Sequence, residues 1–377
     1  MIAGPYDLTP ELFYTVVVQM LDSWRVILRG VEPAPGGGTP AEIAAGVLRR
    51  NAGPVLCAGH GHFWPMWPSD FAKAFAGAWG VLGEEYLRGQ AALMTAESAS
   101  LGRVTSCFRP GRGFDMPWWR GDNLPWLVWC WAEIKERSGR GPDAAQLAAL
   151  QALLAGYEER WLEPGGLVSR RVTGDWVDTI RRPSSTYNNL CVLMMLRRGA
   201  DIGLKAKTGA DAFAARLLAD RWRGNFFRDH ADTEAMSVDA AVAALYLSSF
   251  DSGILGKAAD RLAAERLDEP WPMRCAAGEY DPATVPWVTR LAGGYHRAHW
   301  LHLGLMWLNG LKKLGRDTAK GRKAVETLIE RHGHVLEAVN ADGSPYKSFF
   351  ISCERGLSMA AGQYLELIEA KGPGAGE

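Results

Sequence analysis

Near the start of the chain, apolar side chains fall at Phe13, Val16, Val17, Met20, Leu21, Trp24 and Leu28, the three-and-four spacing of one helical face. Thr9-Pro10-Glu11 supplies a cap and first turn and Gly30 a stop, so the spacing predicts an amphipathic helix over 10–29. A second such pattern begins at Asp143, with Gln146 three residues on as a capping box, and continues through Leu147, Leu150, Leu154, Tyr157 and Trp161. Comparable segments are predicted near 68–82, 85–99, 123–138, 185–200, 207–222, 237–248, 255–266, 299–314, 318–332 and 357–370. Period-two alternation is nearly absent, and the extended stretch Gly102 to Phe108 reads as a loop ribbon. No repeat of fixed period appears, which argues against a consensus solenoid.

About twelve helices joined by Gly- and Pro-rich connections predict an all-α chain. Inner helices that are apolar on nearly all sides, alternating with one-faced outer ones, close most simply into an (α/α)6 toroid. One domain over 1–377 is expected, because helical pattern resumes directly after Pro33-Ala34-Pro35-Gly36-Gly37-Gly38, which reads as a surface loop. The longer connections, 30–41, 51–67, 102–122, 163–184, 224–236, 267–298 and 334–356, would crowd one end and shape a pocket there.

Composition narrows the partner. Across 377 residues, Lys plus Arg and Asp plus Glu both number 42, so no net field draws in nucleic acid or an anionic membrane. A small, weakly charged partner is expected, with oligomeric state left open. The six cysteines are scattered without a CxxC pair, Leu124 to Trp131 is too short to span a bilayer, and Met1 to Asp7 lacks the start of a signal peptide. These features predict a cytoplasmic protein with reduced thiols. Sixteen Trp residues exceed what a core of this size needs, and aromatic rings also stack on sugar faces.

Two loop segments carry candidate chemistry: Gly174-Asp175-Trp176-Val177-Asp178-Thr179 and Glu337-Ala338-Val339-Asn340-Ala341-Asp342-Gly343. A carboxylic acid pressed against an indole is held protonated by desolvation, as a general acid requires, so Trp176 suits Asp178 or Asp175. Glu337 or Glu354 could serve as the partner base. Asp70 and Asp122, each beside tryptophans at a helix start, read equally as caps or as ligands for sugar hydroxyls. His60 and His62, and His296, His299 and His302, lack the companions of a zinc motif, so neither metal nor cofactor is expected. Gly293-Gly294-Tyr295-His296-Arg297 reads as a pocket-lining loop with Arg297 as donor. Arg109-Pro110-Gly111-Arg112-Gly113 lacks the strand and Lys-Ser or Lys-Thr of a phosphate loop.

The order of these motifs resembles a known superfamily. Trp67-Pro68-Ser69-Asp70 resembles the Trp-x-Arg-Asp of bacterial amylo-α-1,6-glucosidases, and Gly102-Arg103-Val104 with Asp122-Asn123-Leu124-Pro125-Trp126 resembles their Gly-Arg-Ile and Asp-Ala-x-x-Trp. Trp176-Val177-Asp178 is similar to the Trp-x-Asp of those enzymes and of neutral invertases. Gly293 to Trp300 resembles the Gly-x-Tyr-Trp-Arg-Gly-x-x-Trp of processing-α-glucosidase-like and mannosylglycerate-hydrolase-like enzymes. Glu337 to Asn340 resembles their Glu-x-Tyr-Asn, and Leu357 to Leu365 their closing Phe-Ser-Trp-Ala-Ala-x-x-Tyr-Leu.

The resemblance spans 60–368 in order and implies an (α/α)6 barrel of inverting glycosidases, with Asp178 as acid and Glu337 as base. It places Trp67, Asp70, Asp122, Asn123, Trp126, Trp176, His296 and Arg297 around a small, α-linked carbohydrate substrate. Three departures stand out: Ser69 replaces an expected Arg, His296 a Trp and Val339 a Tyr. Two other readings belong to the same pocket, a sugar epimerase or isomerase working through His60, His62, His296 or His299, and a sugar-binding protein without activity.

Overall fold

The computed structural model describes residues 17, 20, 21, 23–25, 27–29 and 38–369, except 62, 110, 116–119, 178–179, 281–283, 286–293 and 350. Twelve helices follow the N-terminal helical segment within this range. They are α1 (Pro40–Asn51), α2 (Pro68–Leu82), α3 (Glu84–Leu101), α4 (Asn123–Ser138), α5 (Ala144–Trp161) and α6 (Thr186–Asp201), then α7 (Ala210–Arg221), α8 (Val238–Tyr246), α9 (Ser252–Ala264), α10 (Leu301–Lys313), α11 (Ala319–His332) and α12 (Ser358–Ile368). Two short antiparallel pairs complete the set: β1 (Cys107–Arg109) with β2 (Arg112–Phe114), and β3 (His299–Trp300) with β4 (Ala338–Val339).

Odd and even helices differ in kind. In α8 every residue from Val238 to Tyr246 is buried, and α4 is buried continuously from Asn123 to Ala132. Helix α5 instead hides Leu150, Leu153, Leu154, Tyr157 and Glu158, and α11 only Val325, Leu328 and Ile329, the single stripe of an outer helix. Each even helix packs on the next, α2 on α4, α4 on α6, α6 on α8, α8 on α10 and α10 on α12, and α12 packs back on α2. Odd helices cover them from outside: α1 lies on α12 and α2, α7 on α6, and α9 on α8. The contact between α12 and α2 is made at glycines, since a Cβ on Gly362 would stand 2.2 Å from the Ala74 carbonyl oxygen.

Connections from even to odd helices are short, a single Gly83 between α2 and α3. Long connections all lead from an odd helix into an even one. The long connections therefore lead into the starts of the even helices. Among the described residues no helix is long and apolar enough to cross a membrane.

The N-terminal segment is helical where described, but its stripe faces outward: Leu21 is 61% and Leu28 77% exposed, and buried Ser23 lies on the other side. Trp24 meets the ring of Phe349 edge-on at 5.3 Å.

Candidate active site

Asp70 and Asp122 owe their positions to the first turns of α2 and α4, yet neither caps its helix. Trp67 occupies the cap position of α2, and Asp122, in the cap position of α4, makes no side-chain capping bond. Both oxygens of Asp122 and both side-chain polar atoms of Asn123 are buried with no hydrogen-bond partner among the described residues. A buried polar group without a partner costs about 1–3 kcal/mol, so a site that leaves four such atoms bare is shaped for something else to meet them. Asp70 is enclosed by protein but keeps partial exposure, the condition of a side chain that lines an interior space.

Two cations complete this group. Lys73, one turn beyond Asp70 on α2, is buried, with its ammonium 5.4–5.6 Å from the ring centres of Trp126, Trp176 and Tyr187. Arg120 lies 4.4 Å above the Trp67 ring, donates to Ser69 Oγ at 3.4 Å and to the Trp176 carbonyl at 3.1 Å. A guanidinium thus reaches Ser69, where the resemblance leads one to expect an Arg side chain. Burial pushes Asp122 up to about 6 against the pull of Arg120 and Lys73, and raises Asp70 against the same two cations. It lowers Lys73 despite Asp70 and Asp122.

His302, in the first turn of α10, is also buried, edge-on to Trp176 at 4.8 Å and to Trp300 at 5.5 Å. Neither ring nitrogen has a partner among the described residues, and burial, with Lys73 and Arg120 beside it, holds the ring well below its usual range and therefore neutral. Lys73 and His302 were not among the site residues expected from the sequence. The available signal was a lone charge inside Phe71-Ala72-Lys73-Ala74-Phe75 and a histidine on an otherwise apolar inner helix.

Asp175 and Trp176 are held by a buried ion cluster. Arg182 donates through Nη2 and Nε to both Asp175 oxygens at 2.7 and 3.1 Å, through Nη1 to Asp229 at 2.8 Å, and through Nη2 to Asp239 at 2.7 Å. Trp176 Nε1 donates to Asp239 at 2.8 Å, which fixes the indole. Burial alone would lower Arg182, but the three carboxylates outweigh it and hold it charged. Asp178 itself lies outside the described residues.

Glu337 is buried, and its Oε2 accepts from the Glu354 N–H at 2.8 Å. Its carbonyl accepts from Leu301 N at 2.9 Å, and the next residue pairs with Trp300 across β3 and β4. The Trp300 ring stands 5.5 Å from Trp176, so the chain beside Glu337 meets the Asp175-Trp176 segment through two indoles. Glu354 is a loop anchor: its carboxylate accepts from Gly61 N at 2.9 Å, Phe63 N at 3.0 Å and Arg355 N at 2.8 Å. A Cβ on Gly59 would fall 2.2 Å from the Glu354 side chain, so that loop is cut to fit it.

Of the residues expected to hold the sugar, Trp67, Asp70, Asp122, Trp126 and Trp176 gather around Lys73 and Arg120, and Asn123 adjoins Asp122. Arg297 stands apart, exposed and ion-paired with Glu279. The side chain of His296 lies outside what is described. His299 is committed at Nδ1 to the Trp271 carbonyl, 2.6 Å away.

The charge balance makes a stability prediction. Asp122 binds its proton more tightly in the fold than in the unfolded chain, so stability falls as pH rises from about 4 to about 6, and the cost is fully present at pH 7. Asp122→Asn is expected to stabilise the protein by about 1–3 kcal/mol at pH 7 and by much less at pH 4. Thermal unfolding at both values checks this, and an equal or lower Tm for the variant at pH 7 would contradict it.

No family model matches the sequence, and no curated protein matches it either. Solved structures do. One is a glycosidase, crystallised as a point variant, with TM-score 0.67 at 13% identity over 87% of this chain and 95% of that one. Another is the GH63 mannosylglycerate hydrolase of Thermus thermophilus in complex with glucose, with TM-score 0.62 at 15% identity over 86% and 98%. A third is a rhamnosidase from Klebsiella oxytoca with rhamnose bound, with TM-score 0.65 at 13% identity over 88% of this chain and 64% of that one. The chain shares its fold with these glycosidases.

Proposed function

We propose that this chain is an inverting glycoside hydrolase on an (α/α)6 toroid, acting on a small, α-linked glycoside. One observation carries the reading. Trp67, Asp70, Asp122, Trp126 and Trp176 gather around Lys73 and Arg120 in a helical fold shared with glycosidases, and the Asp122 oxygens have no partner among the described residues. Indoles suit the apolar face of a pyranose, and carboxylates accept paired hydroxyls. Neighbours solved with glucose and with rhamnose make a monosaccharide ring a reasonable occupant.

In this reading Asp178 donates a proton to the leaving oxygen, and Glu337 activates water on the opposite face. Inversion requires the two carboxyls to stand about 6.5–9.5 Å apart, leaving room for that water. Asp175 is unsuited to the acid role because Arg182 takes both of its oxygens. Glu354 is unsuited to the base role because three backbone N–H groups occupy its carboxylate. Asp70 and Asp122 hold ring hydroxyls while Lys73 and Arg120 set their charge, and His302 offers one neutral N–H and one acceptor. Arg297 must leave Glu279 to reach substrate.

Screening α- and β-linked disaccharides and glycosyl-glycerates for released monosaccharide tests the proposal, and release from none of them would count against it. Hydroxyl contacts tighten as the ring distorts, so Asp70→Ala is expected to lower kcat/KM by about a hundredfold while ground-state binding weakens less. Substrate-analogue titration beside steady-state kinetics separates the two. A purely proportional loss of affinity would remove Asp70 from transition-state stabilisation.

A further inference from the structure

A cavity of about 200 Å³ lies against α7, Ser184 and residues 163–170. Four guanidinium groups line it, those of Arg170, Arg216, Arg221 and Arg228, against the carboxylates of Asp220 and Glu163. Asp220 is divided between Arg221 at 2.8 Å and Arg228 at 3.0 Å. Arg170 faces Asp232 at 3.1 Å, and Arg228 also meets Glu234 at 3.0 Å. Arg216 has no carboxylate partner among the described residues and donates only to the Gly165 carbonyl.

Arg221 is the built part of this cavity. It is 2% exposed, and its Nη2 donates to the carbonyl and hydroxyl oxygens of Ser184 at 3.0 and 2.9 Å. Its Nε–H is buried with no acceptor among the described residues, and the Nε–H of Arg228 is in the same state. Four arginines against two carboxylates leave the lining with an excess of positive charge, and Arg216 is without a carboxylate among the described residues, so the cavity suits an acceptor that carries several oxygens and negative charge. The space, several times the roughly 30 Å³ that one water occupies, admits more than a single solvent molecule.

We propose that this cavity binds a tetrahedral oxyanion, a phosphate or sulfate group, held by Arg216, Arg221 and Arg228. The planar fork of guanidinium matches the edge of such an anion, and charge-assisted bonds of this kind are about twice as strong as neutral ones. The site is independent of the glycosidase reading, because none of its residues belongs to the proposed active site.

Titration calorimetry on the full chain with sodium phosphate, sodium sulfate and glucose 6-phosphate, against chloride at matched ionic strength, tests it. Saturable one-to-one binding is expected, weakened at least about tenfold by Arg216→Gln and by Arg228→Gln. Arg216 is exposed, so its variant should fold normally, which circular dichroism checks. Tighter binding of glucose 6-phosphate identifies a sugar-borne phosphate, and tighter binding of the simple anions identifies a free ion. Absence of saturable binding to all three, or unchanged affinity in Arg216→Gln, would overturn the site.

Discussion

Glu337→Gln and Asp178→Asn are each expected to lower glycoside turnover by about a hundredfold to ten-thousandfold while leaving the helical fold intact, the range that a lost general acid or base produces. The two variants should then part company. An aryl glycoside with a good leaving group needs no proton, so it should restore much of the rate to Asp178→Asn and little to Glu337→Gln. Added azide, which attacks without a base, should do the reverse by forming a glycosyl azide. Glu337 makes one bond that glutamine can only partly keep, its Oε2 accepting from Glu354 N, so circular dichroism and thermal unfolding must accompany the kinetics. Full activity in either variant would remove that residue from the mechanism.

Arg182→Met is expected to cost more than about 3 kcal/mol of stability, because it strands three buried carboxylates on one another. The side chains of Arg182 and Asp175 are 0% exposed and that of Asp239 1%, so water cannot replace the lost partner. Asp229, raised by burial to about 6 even with Arg182 present, would rise further and take up a proton. Arg182→Lys should fare little better, since one ammonium cannot reproduce a fork that reaches three carboxylates. Equilibrium unfolding measures both. A loss below about 1 kcal/mol would show that the cluster is not what holds the loop of Trp176 in place.

Much of the fold could be read from local pattern. Asp143 with Gln146 marked the start of α5, and Pro68 and Gly83 bracket α2 as a first-turn proline and a stop. Helix α1 is not among the predicted segments, although Thr39-Pro40-Ala41-Glu42 forms a complete capping box and Ile43, Ala44, Val47 and Leu48 supply its buried stripe. It is the sixth outer helix, and without it α12 and α2 would be uncovered. The N-terminal helix shows the opposite error: periodicity gives a helix but not the direction its stripe faces. The pairing of β3 with β4 joins two-residue strands far apart in the chain, too short for alternation to show.

The grouping of Trp67, Asp70, Asp122, Trp126 and Trp176 was legible where acids stand beside indoles in one stretch of sequence, as at Trp67 to Asp70 and Asp122 to Trp126. It was illegible where meaning depends on distant partners. Asp175 and Asp178 look alike until Arg182, Asp229 and Asp239 close on the first of them. Glu337 and Glu354 look alike until the backbone N–H groups of Gly61 and Phe63 meet the second. Lys73 gave no motif and His302 only a histidine spacing weighed for metal, because a single polar residue on an inner helix declares itself only when its neighbours in space are known.

The central claim is that a water activated by Glu337 displaces the glycosidic oxygen in a single inverting step. Proton NMR during the first minutes of hydrolysis of the best substrate from the disaccharide panel tests this most directly, because it records the anomer released before mutarotation. An α-linked substrate should yield the β-anomer first, with the α-anomer growing in only as the solution equilibrates. Initial release of the α-anomer would mean retention through a covalent intermediate and would contradict the assignment of Glu337 as a base.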